Sequence, residues 1–388
     1  MVIAMRFEFA TAARILFGEG TLGDVTSAAR ALGRRVLVVT GRACGRAAPL
    51  LRALETAGAA PIPFPTDGEP TIETIRSGAE FARNERCDLV VAMGGGSAID
   101  AGKALAAMLT NPGEPLDYLE VIGGGLPLAN PSAPFIAIPT TAGTGSEVTR
   151  NAVLASPERR VKASLRSAYM LPRLAVVDPQ LTFDLPPALT ASTGLDALTQ
   201  LIEPYVSSRA NSMTDLFCTD GMRLAARALP RVWENGGDRE ARSEMSWAAL
   251  AGGLALANAG LGAVHGFAAP LGGMFPAPHG AVCAALLPHA MAINVEALRR
   301  REPASPLLQR YGEVGRLLTG RPQATPEQGA EWIAALCRRL EIPPLGTYGV
   351  TENDIPDLVT RAAQASSMKA NPIVLEPDEL REILVRAM

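Results

Sequence analysis

The chain has 388 residues, with 36 Lys+Arg against 39 Asp+Glu and a formal charge of −3. That balance points to neither nucleic acid nor an anionic membrane as partner. Hydrophobic residues at 48% and charged residues at 19% favour a large buried core over disorder, and 5% aromatics is too few for a stacking platform on single strands.

The length predicts two domains or three. The charges of Arg6 and Glu8 come too early for a secretory apolar core, and no uninterrupted apolar run reaches ~18 residues, so no membrane span is expected. Arg35–Thr40 reads as a strand ending in Gly41, and 47–57 as a helix. A short strand follows at 61–64, then a loop with Asp67 and a helix over 72–86. The run 89–93 is a third strand, 135–138 a fourth and Leu174–Val177 a fifth. Strands alternating with helices predict a parallel sheet covered on both faces. Ligands of such sheets sit at the strands' carboxyl ends, where Gly41, Asp67, Gly94–Ser97 and Thr140–Gly145 fall. The stretch 111–134, with Gly123-Gly124-Gly125, reads as a surface excursion. From Leu185-Pro186-Pro187 onward the pattern is helical, with helices predicted over 188–207, 212–228, 239–258, 280–294, 305–318, 326–340 and 352–365. The reading is an α/β nucleotide-binding domain over 1–185, with a Rossmann-like parallel sheet, and an all-α domain over 186–388.

The most informative run is Met93-Gly94-Gly95-Gly96-Ser97-Ala98-Ile99-Asp100-Ala101-Gly102-Lys103. Strand, glycine turn and helix form a phosphate cradle. Glycine lets the backbone approach an anion, and a helix N-terminus offers unpaired N–H groups and partial positive charge. Ser97 and Asp100 are expected to cap the helix at 101–109, and Lys103 to offset anionic charge. A plain strand-to-helix turn is the alternative. A second cluster comes from Asp196 and Gln200, four apart on one helix face, and from His265 and His279 in glycine-rich, apolar surroundings. Together they offer donors for a divalent cation, with the Gln200 amide as a poor fourth ligand. Two buried, hydrogen-bonded histidines are the alternative here. The five cysteines are scattered, with no CxxC pair, which fits a reduced, cytoplasmic compartment.

The segments Gly94-Gly95-Gly96-Ser97-Ala98-Ile99-Asp100, Pro139-Thr140-Thr141-Ala142-Gly143-Thr144-Gly145-Ser146-Glu147-Val148-Thr149, Gly194-Leu195-Asp196-Ala197-Leu198 and Pro278-His279-Gly280 resemble the iron-containing alcohol dehydrogenase family over nearly the whole chain. The resemblance implies a nucleotide domain, a helical domain and a cleft between them. It implies NAD or NADP bound by Gly95, Gly96 and Ser97 at the pyrophosphate, by Thr140, Thr141, Thr144 and Thr149 near the nicotinamide, and by Lys162 at the ribose. It implies iron or zinc at Asp196, Gln200, His265 and His279, with the two histidines catalytic, and a homo-oligomer, a dimer, acting on a small alcohol, aldehyde or oxo acid. The sequence departs from the pattern in three places. Gln200 stands where a histidine ligand is usual, which predicts a weakened or absent metal. Ala269 stands where many members carry another histidine. Gly41 replaces an acidic residue common in NAD-preferring members, which permits NADPH, with Arg42 adding attraction. The expected activity is alcohol dehydrogenation or aldehyde reduction. The alternatives are a metal-independent oxo-acid reductase resembling maleylacetate reductase and a non-catalytic nucleotide-binding module.

Overall fold

A computed structural model describes residues 6–42 and 44–388. The chain forms two compact units. One comprises Ala10–Thr141 and Gly145–Phe183; the other comprises Asp184–Met388, joined by Ala142–Thr144 and by residues 6–9, of which Phe9 stacks on Phe217.

The first unit contains strands β1 (Ile15–Phe17), β2 (Arg35–Thr40), β3 (Ala60–Pro65), β4 (Leu89–Gly94), β5 (Phe135–Pro139), β6 (Asn151–Ser156), β7 (Val161–Arg166) and β8 (Leu174–Val177). Its helices are α1 (Val25–Leu32), α2 (Ala48–Thr56), α3 (Ile72–Asn84), α4 (Gly96–Thr110) and the single turn α5 (Pro115–Tyr118). Six strands form one parallel sheet in the order β1-β8-β5-β4-β2-β3. All of β4 is buried, as the Leu-Val-Val-Ala run requires of a strand covered on both faces. Strand β3 lies on one side of β2 and β4 on the other, so the connection reverses direction between β2 and β4. The cleft outside such a reversal is where open α/β sheets take ligands; Gly41 follows the end of β2 and Gly94 ends β4.

The sheet has one more strand than the sequence predicts. The addition, β1, is a three-residue edge strand, too short to carry a period. The antiparallel hairpin β6–β7 is also absent from the sequence reading. Its alternating burial follows Asn-Ala-Val-Leu-Ala-Ser and Val-Lys-Ala-Ser-Leu-Arg, a period-two signal present in the sequence. The stretch 111–134 is only partly an excursion. Val121 and Leu126 are exposed, but Tyr118, Leu119 and Leu128 are buried in the core beneath the sheet.

The second unit is helical: α6 (Pro187–Val206), α7 (Ser212–Glu234), α8 (Arg239–Ala259), α9 (Ala263–Met274), α10 (His279–Arg301), α11 (Pro306–Thr319), α12 (Pro326–Arg339), α13 (Ile355–Gln364) and α14 (Pro377–Ala387). Caps fix several starts: Asn211 accepts from the Met213 and Thr214 N–H groups, and Asp238 accepts from Ala241. Helix α6 packs on α7, α8 and α10. The chain bends by 98° between α8 and α9, at Gly260 with φ +75°, a left-handed conformation suited to glycine. Helix α10 is long and apolar enough to cross a membrane, but 83% of its apolar window is buried against the rest of the chain.

Candidate active site

In the first unit the register sets the cradle. Thr40 pairs with Met93 and Gly94 with Pro139, so Gly41, Gly95 and Thr140 follow side by side at the carboxyl ends of β2, β4 and β5. Thr140 N–H donates to the Gly94 carbonyl at 2.9 Å. A Cβ on Gly94 would lie 2.6 Å from that of Ala98, so this position must be glycine for the turn to close. A Cβ on Gly95 would meet only Thr141, at 3.5 Å. Gly95 caps α4, and Gly96 and Ser97 open its first turn. The helix therefore starts at Gly96, earlier than the sequence suggests, and its free N–H groups face the end of β4. Asp67 is exposed and pairs with Arg42, whose Nε donates to it at 2.9 Å; Arg42 is thus engaged with a carboxylate. The Lys162 side chain is buried on β7, with Nζ 2.6 Å from Glu69 Oε1. Thr144 belongs with the helical unit.

Two expectations at this turn are corrected. Neither Ser97 nor Asp100 caps α4, whose N-cap is Gly95 with no side-chain cap bond. The Asp100 carboxylate accepts from Ser146 Oγ and from the Val153 N–H at 2.9 Å, and it lies 3.1 Å from Lys103 Nζ. Lys103 is wholly buried and donates to the Ser146 carbonyl at 3.0 Å and Thr149 Oγ1 at 2.8 Å. Asp100 lies one turn and Lys103 two turns into α4 on the face toward the Thr-rich loop, and they fasten that loop. Burial pushes Lys103 below its ordinary value, against the attraction of Asp100.

Glu147, in the same loop, is pushed up to about 7 by burial, against its own backbone N–H and Lys103. It holds its proton in the folded chain through a range where the unfolded chain, near 4.5, has released it. The folded state then binds more protons, so stability falls as pH rises from about 4.5 to about 7 and stays low above it. Glu147→Gln, neutral throughout, is expected to remove that fall and gain up to about 3 kcal/mol over wild type above pH 7. Urea midpoints across this range check it; parallel pH curves for the two proteins would refute the buried proton.

The second unit holds a cluster of metal-ligand donors among the described residues. Asp196 from α6, His265 from α9 and His279 and Cys283 from α10 present ligand atoms all within 4.8 Å of one another. Asp196 Oδ1 is 3.5 Å from His265 Nε2 and 3.7 Å from His279 Nε2; Cys283 Sγ is 3.9 Å and 3.7 Å from the same nitrogens. Helix α10 can approach α6 because Gly280 has no side chain: a Cβ there would stand 2.6 Å from the Ser192 carbonyl oxygen. The bend before α9 brings in His265, and Glu203, two turns along α6 from Asp196, orients it. Glu203 Oε2 lies 2.7 Å from His265 Nδ1, and Oε1 accepts from the Val264 N–H at 2.7 Å. With Nδ1–H donating to Glu203, it is Nε2 that faces the cluster.

Burial raises Asp196, but His279 and His265 outweigh it and hold the carboxyl below its ordinary value. Burial lowers both imidazoles, yet attraction to Cys283 and Asp196 lifts His265 well up and His279 to about 9. Asp196 Oδ1 is buried with no hydrogen-bond donor among the described residues. Around a tetrahedral ion with bonds of ~2.0–2.3 Å, donor atoms lie ~3.3–3.6 Å apart. The four separations given above are a few tenths wider, and a buried carboxylate oxygen that accepts no hydrogen bond lies between the Nε2 atoms of the two imidazoles. The residues fit a divalent cation. Gln200 shares the Asp196 face, its Oε1 also buried without a donor. The weakening expected from Gln200 is not supported, because four donor atoms converge without it. Cys283 and Glu203 escape the sequence reading as site residues. The only sequence signal for each is helical spacing, four residues after His279 and seven after Asp196.

Residues 12–179 match the family "Iron-containing alcohol dehydrogenase", and residues 190–388 match "Fe-containing alcohol dehydrogenase family, C-terminal". The chain belongs to the iron-containing alcohol dehydrogenase family. It is an oxidoreductase acting on CH–OH groups, which removes the non-catalytic binding module from consideration. It is 35% identical to alcohol dehydrogenase 4 of Saccharomyces cerevisiae over 378 residues, 96% of each chain. Its fold is similar to that of 1,3-propanediol oxidoreductase, with TM-score 0.90 and 33% identity over 99% of this chain and 100% of the other. It is also similar to sulfoacetaldehyde reductase from Bifidobacterium kashiwanohense in complex with NAD+, with TM-score 0.86 and 30% identity over 99% of both chains.

Proposed function

We propose that the chain is an NAD(P)-dependent alcohol dehydrogenase and aldehyde reductase for small substrates, working with a divalent cation at Asp196, His265 and His279. The observation that carries this reading is the convergence of those donors, from three helices, around a buried carboxylate oxygen that accepts no hydrogen bond. Held by Asp196, His265 and His279, a cation would supply Lewis-acid polarisation of a carbonyl or alcohol oxygen, and a nicotinamide at the cradle would supply or take up the hydride. The chain's own residues do the rest. Glu203 fixes the His265 ring, and the helix packing holds Asp196 and His279 against it. The backbone N–H groups after Gly95 take the pyrophosphate, beside Thr140 and Thr141. Asp100 and Lys103 hold the loop that carries Thr149. Gly41, with open space at its Cβ position, leaves room for a 2′-phosphate, so NADPH is accepted. The four described cysteines are unpaired, which supports a reduced, cytoplasmic setting, and the family resemblance supports a homo-oligomer.

The test is oxidation of NADPH and NADH with a panel of small aldehydes and 2-oxo acids, before and after chelation. Aldehydes are expected to turn over, NADPH to serve at least as well as NADH, and chelation to cost about 100-fold or more, restored by added metal. Undiminished activity in chelator, confined to oxo acids, would overturn this in favour of the metal-independent reading.

A further inference from the structure

Resting on that reading, we propose that the fourth donor of the cation site is the thiolate of Cys283 rather than the amide of Gln200, and that it turns the site toward zinc and away from iron(II). Cys283 lies one turn after His279 on α10, so both project from one face. Its sulfur is buried, 3.7 Å from His279 Nε2 and 3.9 Å from His265 Nε2. For an S–M bond of ~2.3 Å beside an N–M bond of ~2.0–2.1 Å, the tetrahedral S···N separation is about 3.5 Å. The sulfur thus needs a shift of only a few tenths of an ångström. The independent sign that something belongs here is Asp196 Oδ1, buried, accepting no hydrogen bond and aimed at the same two nitrogens.

Donor chemistry favours the thiolate as well. Thiolate is a soft donor suited to zinc, and a given site of this kind binds zinc more tightly than iron(II), whereas an amide oxygen suits harder ions. On binding, the thiol proton is released to solvent and a metal–sulfur bond replaces a metal–water bond, with no redox change.

The experiment uses the full-length protein, stripped with chelator and reloaded anaerobically with cobalt(II), zinc(II) or iron(II). Wild type is expected to bind one cobalt(II) and show a near-ultraviolet thiolate-to-cobalt charge-transfer band. Zinc should displace iron(II) in direct competition. Cys283→Ser should bind cobalt without that band and zinc at least about 100-fold more weakly, whereas Gln200→Ala should keep the band and stay within a few-fold in affinity. Circular dichroism reports whether each variant folds, and the wild-type spectrum stands without them. Stoichiometric cobalt with no thiolate band, or a loss that follows Gln200 instead of Cys283, overturns this proposal and leaves the metal-dependent reading standing. No metal uptake by wild type overturns both.

Discussion

Asp196→Asn is expected to lower kcat/KM for aldehyde reduction by about 1,000-fold or more, with the fold retained. The substitution keeps the shape of a residue buried on α6, so the packing against α7, α8 and α10 is not opened. It removes the negative charge that faces His265 Nε2 at 3.5 Å and His279 Nε2 at 3.7 Å. On the proposed reading, a cation held there would lose an anionic donor. Loss of Lewis-acid polarisation is worth several kcal/mol of transition-state stabilisation, and 1,000-fold corresponds to about 4 kcal/mol. Metal content after gel filtration should fall in parallel with activity. A variant within tenfold of wild type would place the chemistry away from this cluster.

Gly95→Val is expected to weaken NADH and NADPH about 100-fold while leaving the melting temperature nearly unchanged. Gly95 has φ −73° and ψ −175°, a conformation open to any residue, and its Cβ would make only an ordinary contact with Thr141 at 3.5 Å. The fold does not require glycine here. An anion approaching the first N–H groups of α4 does, because the added side chain stands over them. Losing two or three charge-assisted hydrogen bonds accounts for a penalty of this size. Isothermal titration with both cofactors measures it; unchanged affinity in a folded variant would remove the cradle assignment. Gly94 serves as the contrast, since a Cβ there collides with Ala98 at 2.6 Å and the fold itself suffers.

The alternation of strands and helices, the change to an all-helical pattern near residue 185, and the glycine turn after β4 are all legible in the residues alone. Each is a local property: β-branched runs bounded by glycine, apolar periodicity, and a turn that side chains would block. The shared face of Asp196 and Gln200 is local too, since a spacing of four is read along a single helix. The short edge strand β1 has too few residues to show a period. Which donors meet is settled by packing. Asp196, His265, His279 and Cys283 come from three helices, and what joins them is non-local: the close approach of α10 to α6 at Gly280, and the turn at Gly260 that redirects α9. The same holds at the cradle. Asp100 and Lys103 look available to a phosphate when read along α4, yet burial against Ser146, Thr149 and Val153 turns them into fasteners of a distant loop. Spacing fixes which side chains share a helix face, and packing between elements separated by tens of residues fixes what that face meets.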